Sequence, residues 1–64
     1  MTIEQMRGIA KECMDKQISL LASDDITFYE ALGFLSAYGS VGLFTDSEYL
    51  EYLLRIRQFA FENL

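Results

Sequence analysis

Three stretches of the chain carry apolar residues at helical spacing, and two short polar or glycine-bearing breaks separate them. In the first stretch, Ile3, Met6, Ala10, Cys13, Gln17 and Leu20 follow one another at alternating steps of three and four. Ile9, Met14 and Leu21 widen that stripe. Residues three and four apart share one face of a helix, whereas a half-buried strand would alternate at every second position. Glu4, Lys11, Glu12, Asp15, Lys16 and Ser19 fall on the other face. Thr2 with Gln5 three positions on has the spacing of a capping box. A first helix is therefore predicted over about 3–21.

Ser23, Asp24 and Asp25 form the first break, and their carboxylates suit the N-terminus of a following helix, with Asp24 or Asp25 as its N-cap. The second helix is predicted over about 27–38. Phe28, Ala31, Leu32, Leu35 and Tyr38 make one broad face, which Phe34, Ala37 and Val41 extend round the cylinder. Only Tyr29, Gly33, Ser36 and Ser40 contrast with it, and that strip is mostly small rather than charged. A helix apolar almost all round is expected to be buried, so this one is placed in the middle, covered by the other two. Its small strip would let another helix approach closely. Gly39 is the expected C-cap, with Gly42 as a second candidate.

The second break ends in Leu43 and Phe44, expected to pack down as a plug, with Phe44 available to staple onto Tyr49. Thr45-Asp46-Ser47-Glu48 reads as a capping box. The third helix follows over about 46–62. Its polar residues Glu48, Glu51, Arg55, Gln58 and Glu62 form one narrow strip. The rest, Tyr49, Leu50, Tyr52, Leu53, Leu54, Ile56, Phe59, Ala60, Phe61 and Leu64, spans an arc of roughly 220°, where a core-facing helix needs little more than about 100°. Arg57 interrupts that arc.

The expected fold is all-α: a small three-helix antiparallel bundle in one domain of 64 residues, completed by self-association. A chain this short withdraws only about 60% of its unfolded surface from water, so 52% hydrophobic residues are hard to hide inside one copy. Disulfides within the chain are excluded by the single cysteine, Cys13. The surplus apolar arc is therefore read as an interface, with Leu50, Leu53, Leu54, Arg57 and Phe61 on the third helix and Gly33 and Ser36 on the second as its candidate residues. Arg57 has three readings. It pairs with Glu30, the only charge on the second helix, as a buried ion pair; it reaches the rim with its stem on the core; or it meets a carboxylate of another chain. Gln17, in the first stripe, could set register in a helical interface.

Composition then removes several classes of function. With no histidine there is no Ser-His or Cys-His pair and no general base of the usual kind. Cys13 reads as a small buried hydrophobe. The carboxylate pairs Glu12/Asp15 and Glu48/Glu51 read as solvated faces, and Gly33, Gly39 and Gly42 match no phosphate-binding loop. No catalytic residue, cofactor or metal ligand is expected, nor a small-molecule substrate. A net charge of −5 disfavours nucleic acid and anionic membrane surfaces. The uncharged run from Ala31 to Phe44 is shorter than the roughly 20 apolar residues that a membrane span needs. The opening MTIEQMRGIAKEC is amphipathic and carries no signal-peptide pattern, so a cytoplasmic protein is expected.

The run Gly42-Leu43-Phe44-Thr45-Asp46-Ser47-Glu48-Tyr49 resembles the hairpin of short bacterial SHOCT-type domains, with their Gly-x-hydrophobic-Thr-x-x-Glu-aromatic pattern. That family's basic positions further along the helix are replaced here by Leu53 and Leu54. The resemblance implies an oligomerising or partner-docking hairpin. Two functional expectations follow from the residues: a non-enzymatic interaction module that forms a homodimer, or a small acidic inhibitor or adaptor, of the kind phages and other mobile elements encode, that binds a host protein.

Overall fold

A computed structural model describes the backbone of residues 1–62 and the side chains of residues 1–59. Three helices follow in order: α1 (Ile3–Ala22), α2 (Phe28–Ser40) and α3 (Asp46–Glu62). α1 opens with the expected capping box: the Thr2 N–H donates to Gln5 Oε1 at 2.8 Å, and the Gln5 N–H donates to Thr2 Oγ1 at 3.1 Å. α3 opens with the second one, in which Thr45 N–H donates to Glu48 Oε1 at 2.8 Å and Glu48 N–H donates to Thr45 Oγ1 at 3.2 Å. Each box satisfies two backbone donors that a helix start leaves unpaired.

The break between α1 and α2 is built differently from the expectation. Thr27, and neither Asp24 nor Asp25, caps α2, its Oγ1 accepting the Glu30 N–H at 3.1 Å. The two aspartates instead close α1. Asp24 N–H donates to Leu21 O at 3.1 Å and Asp25 N–H to Leu20 O at 2.8 Å, the paired bonds of a Schellman motif. Asp24 occupies the left-handed position at φ 60°, which glycine more often fills. The same motif closes α2 through Gly42 at φ 78°, with Gly42 N–H to Gly39 O and Leu43 N–H to Tyr38 O, both at 3.1 Å. Gly42, and not Gly39, is therefore the residue that ends α2, and Gly39 lies inside the last turn.

Ion pairs between α1 and α3 show the directions of the helices. Arg7 meets Glu48 and Asp15 meets Arg55, separations of 41 and 40 residues, so the two helices advance in step and run parallel. α2, joined to each by a short link, runs antiparallel to both. Every helix packs against the other two, within a Cα envelope of 39 × 20 × 14 Å. α2 is thus one corner of a triangle and not a covered middle layer. Its Ala31 and Leu35 are buried, while Tyr29, Gly33, Phe34, Ser36 and Ala37 face solvent.

The core is Ala10, Met14, Ile18 and Leu21 of α1, Ala31 and Leu35 of α2, Phe44 of the link, and Tyr52 and Ile56 of α3. α1 is therefore rotated relative to the expected stripe. Ile3, Met6 and Ile9 are exposed, Cys13, Gln17 and Leu20 are half-buried, and Ile18 is in the core. The rotation brings Arg7 and Lys11 to the edge of the core face, where Glu48 is waiting. Phe44 does pack down as a plug. Its ring partners are Tyr38, with centroids 6.0 Å away, and Tyr52, 5.1 Å away, while Tyr49 lies over Gly39.

Candidate interaction surface

Side chains on two opposite flanks of α3 divide its apolar arc. The flank toward α1 is closed by charge. Arg7 Nη2 donates to Glu48 Oε1 at 2.6 Å while its Nε donates to Leu43 O at 3.2 Å, and Lys11 Nζ lies 2.7 Å from Glu48 Oε2. Further along, Arg55 Nη1 donates to Asp15 Oδ1 at 3.3 Å, and the Arg55 guanidinium stands 5.4 Å from the Tyr52 ring centroid. Glu48 thus caps its own helix and ties it to two cations of α1 at once. Sequence reasoning left it on a solvated face, because pairing across helices has no local pattern. The Gly42–Tyr49 run is, in structural terms, a glycine turn followed by this capping box.

The Glu48 side chain keeps only 22% of its exposure. The Lys11 ammonium first, then the Thr45 N–H and, against a smaller opposing effect of burial, Arg7 hold its carboxyl down to about 2 from an ordinary 4.5. Because the folded value lies below the unfolded one, Glu48 stabilises the fold above pH 4.5. That contribution drains away as pH falls through the interval from 4.5 toward 2. Glu48→Gln should lower the melting temperature at pH 7 and flatten its fall across that interval. Parallel melting-temperature profiles for the two proteins would refute this role.

The flank of α3 away from α1 is open. Leu50 and Leu54 are 54% and 56% exposed, and Arg57, one helical turn on, is exposed beside them. Leu53 is half-buried and packs against the core, so it borders the strip rather than belonging to it. Phe61, with Ala60 and Leu64 of the same arc, lies outside the described side chains. On α2, Ser36 and Gly33 are both exposed, and an added Cβ at Gly33 would meet nothing within 4 Å. Neither brings a helix of the same chain close. The glycine that does so is Gly39, where a Cβ would stand 2.7 Å from the Tyr49 ring.

The expected buried pair Glu30–Arg57 is not formed. Both side chains are exposed, and among the described residues no charged side chain is buried. Glu30 sits in the first turn of α2, where the Thr27 hydroxyl donates to its Oε1 at 3.3 Å. A charge in the first turn of a helix is stabilised there by the dipole, with no need of a distant cation. Cys13 is half-buried rather than buried, and a side-chain hydrogen bond with it raises the Tyr38 phenol above its ordinary 10.0.

The exposure of further apolar residues on α1 and α2 went unread in the sequence. Met6 and Ile9 lie on the same side of α1 as Cys13, which contacts Tyr38 of α2, and they are exposed there. Phe34 and Val41 are exposed on α2. Two shallow depressions mark the outer surfaces of α1 and α2. One, of about 420 Å³, is lined by Met1, Gln5, Gly8, Ile9 and Glu12. The other, of about 350 Å³, is lined by Glu30, Gly33, Phe34 and Ala37. The available signal was the pair Arg7 and Lys11, which meet Glu48 across the helices while Met6 and Ile9 stay outside.

Among the described residues no group of three or more potential metal ligands gathers, and no helix is long and apolar enough to cross a membrane. No family model, no curated protein and no solved structure matches the chain.

Proposed function

We propose that this chain is a non-enzymatic protein–protein interaction module that self-associates as a homodimer in the cytoplasm. The observation that carries the reading is the open strip on α3, where Leu50 and Leu54 both stand more than half exposed. Scattered surface leucines are ordinary, but two in line on one helix face, beside a core of nine residues among those described, are a costly use of apolar material. A two-fold dimer uses one such strip twice and covers both copies. The test is the solution mass by light scattering behind size exclusion, from low micromolar to millimolar. Twice the 7.4 kDa of one chain is expected. A monomer across that range would overturn the reading.

A second reading, an inhibitor or adaptor that docks a larger protein of the phage or mobile-element kind, is favoured by the exposed apolar residues of α1 and α2. Ile9 shares its depression with Glu12, and Phe34 shares its own with Glu30, a combination that suits an apolar surface rimmed by basic residues. A pull-down from bacterial lysate returning no stoichiometric partner would count against it. Neither reading assigns a nucleic acid, membrane, cofactor or small-molecule substrate.

A further inference from the structure

We infer that the seam between α1 and α2 is a docking groove for a basic amphipathic helix of a partner protein. The inference rests on the inhibitor or adaptor reading and adds to it the surface used and the chemistry of what it takes.

Spacing places the groove. Cys13 of α1 meets Tyr38 of α2, and both are half-buried. Met6 and Ile9 precede Cys13 by seven and four residues, and Phe34 and Val41 flank Tyr38 at four before and three after. Such steps keep each set on one face of its helix. The two helices run in opposite directions, so Ile9 and Val41 lie toward the same end of the seam and Phe34 toward the other. Met6, Ile9, Phe34 and Val41 are all exposed, Ile9 and Val41 by more than half. The seam therefore has a half-buried floor and apolar walls that rise from both helices. A helix laid along it would bury an apolar stripe of its own against both walls.

Charge selects the occupant. Glu12 lies beside Ile9 in the depression of the α1 wall, and Glu30 beside Phe34 in that of the α2 wall. An acid thus borders the apolar surface on each helix. Asp24 and Asp25, both exposed, stand at the turn where the seam closes. Against these four carboxylates the two helices offer one exposed cation, Lys16, and α2 carries none. Arg7 and Lys11 are turned to Glu48 of α3. A second copy of this chain is a poor occupant. Its Arg7, Lys11 and Arg55 are held in ion pairs and its Arg57 has an interaction within the chain, so a copy would bring mainly carboxylates to carboxylates. A helix with an apolar stripe between rows of lysine or arginine suits both walls and both rims.

The test uses a synthetic amphipathic helix of leucine and lysine about four turns long, to match the 13 residues of α2. Two control peptides share its length: one with the same residues shuffled so that no leucine stripe forms, and one with glutamate in place of lysine. Titration calorimetry measures binding to the full chain, and amide chemical shifts locate it. The leucine–lysine helix should bind, with shifts centred on Ile9, Cys13, Phe34 and Val41, and both controls should bind at least about tenfold more weakly. Ile9→Ser and Phe34→Ser, both at exposed positions, should each weaken binding about tenfold. Glu12→Gln combined with Glu30→Gln should weaken it about threefold and reduce its sensitivity to salt. Leu54→Ser on α3 should leave it unchanged. Far-UV circular dichroism checks the helix content of each variant. Absence of binding, equal binding of the shuffled peptide, or loss only with Leu54→Ser would overturn the groove. A pull-down from bacterial lysate separates the groove from the reading beneath it. A stoichiometric partner retained equally by the parent and by the Ile9→Ser/Phe34→Ser protein would overturn the groove and leave the adaptor reading standing. An empty pull-down beside a peptide that binds would remove the adaptor reading and leave the preference of the groove standing.

Discussion

Phe44→Ala should abolish the cooperative unfolding transition of this domain, or bring its midpoint close to ambient temperature. Phe44 is 8% exposed and lies in the link between α2 and α3, so no regular element holds it in place. Its ring contacts Tyr38 at 6.0 Å, edge to face, and Tyr52 at 5.1 Å, tilted. It therefore joins the end of α2 to the middle of α3, and it is the one phenylalanine among the fully described core residues. Truncating a buried phenylalanine costs about 3–5 kcal/mol, from lost transfer energy and the cavity left behind. A single core in a chain of this size rarely supplies more than about 3–5 kcal/mol in total. Loss and total are of the same size, so the folded state should be only marginally populated. The check is thermal melting followed at 222 nm, at a concentration low enough that dimer formation adds little stability. A melting temperature within a few degrees of the parent would show that the link can repack and that Phe44 is not the plug described above.

Gly39→Ala should destabilise the protein even though it replaces glycine by the best helix former. Helix propensity alone predicts a gain of about 1 kcal/mol for glycine to alanine inside a helix. Gly39 lies in the last turn of α2, but its missing Cβ leaves room for Tyr49. A Cβ there would stand 2.7 Å from both Cδ2 and Cε2 of the ring, well inside contact distance. Forcing the ring aside disturbs the α2–α3 packing, at the roughly 1–3 kcal/mol usual for overpacking. The net effect should be a loss of about 1–2 kcal/mol. Gly8 supplies the control, since an added Cβ meets nothing within 4 Å and the residue is exposed on α1. Gly8→Ala should stabilise by up to about 1 kcal/mol. In a Tyr49→Ala background the Gly39→Ala change should lose its penalty, since the ring that creates it is gone. Urea denaturation of the four proteins measures this cycle. A Gly39→Ala protein as stable as the Gly8→Ala one would show that Tyr49 does not depend on the glycine.

These two positions mark where local pattern stops being informative. The apolar period and the Thr2/Gln5 and Thr45/Glu48 boxes sufficed for the helix count, for the bounds of α3 and for the start of α1, because caps and periodicity act within four residues of chain. Sequence reading also found the α3 strip of Leu50 and Leu54, since that arc was wider than a core could use. It misassigned the cap of α2, because Asp24 and Asp25 satisfy the end of one helix and could equally have begun the next. It placed close approach on the strip of Tyr29, Gly33, Ser36 and Ser40, and the close contact within the chain at Gly39 was not read, because nothing local distinguishes a glycine beneath a ring from one facing water.

The sequence by itself determined an acidic, all-helical domain without histidine, whose third helix carries a wider apolar arc than a core-facing stripe needs. Only the tertiary structure decided how each helix is turned about its own axis. That rotation is visible in pairs some 40 residues apart, Arg7 and Lys11 with Glu48 and Asp15 with Arg55, and in the burial of Met14, Ile18 and Leu21. With α1 turned this way, Ile18 is inside and Met6 and Ile9 are outside, while Arg7 and Lys11 meet Glu48. A helix wheel assumes that charges face solvent. Here three cations and two carboxylates face one another across a seam, and the energy of that arrangement belongs to neither helix alone.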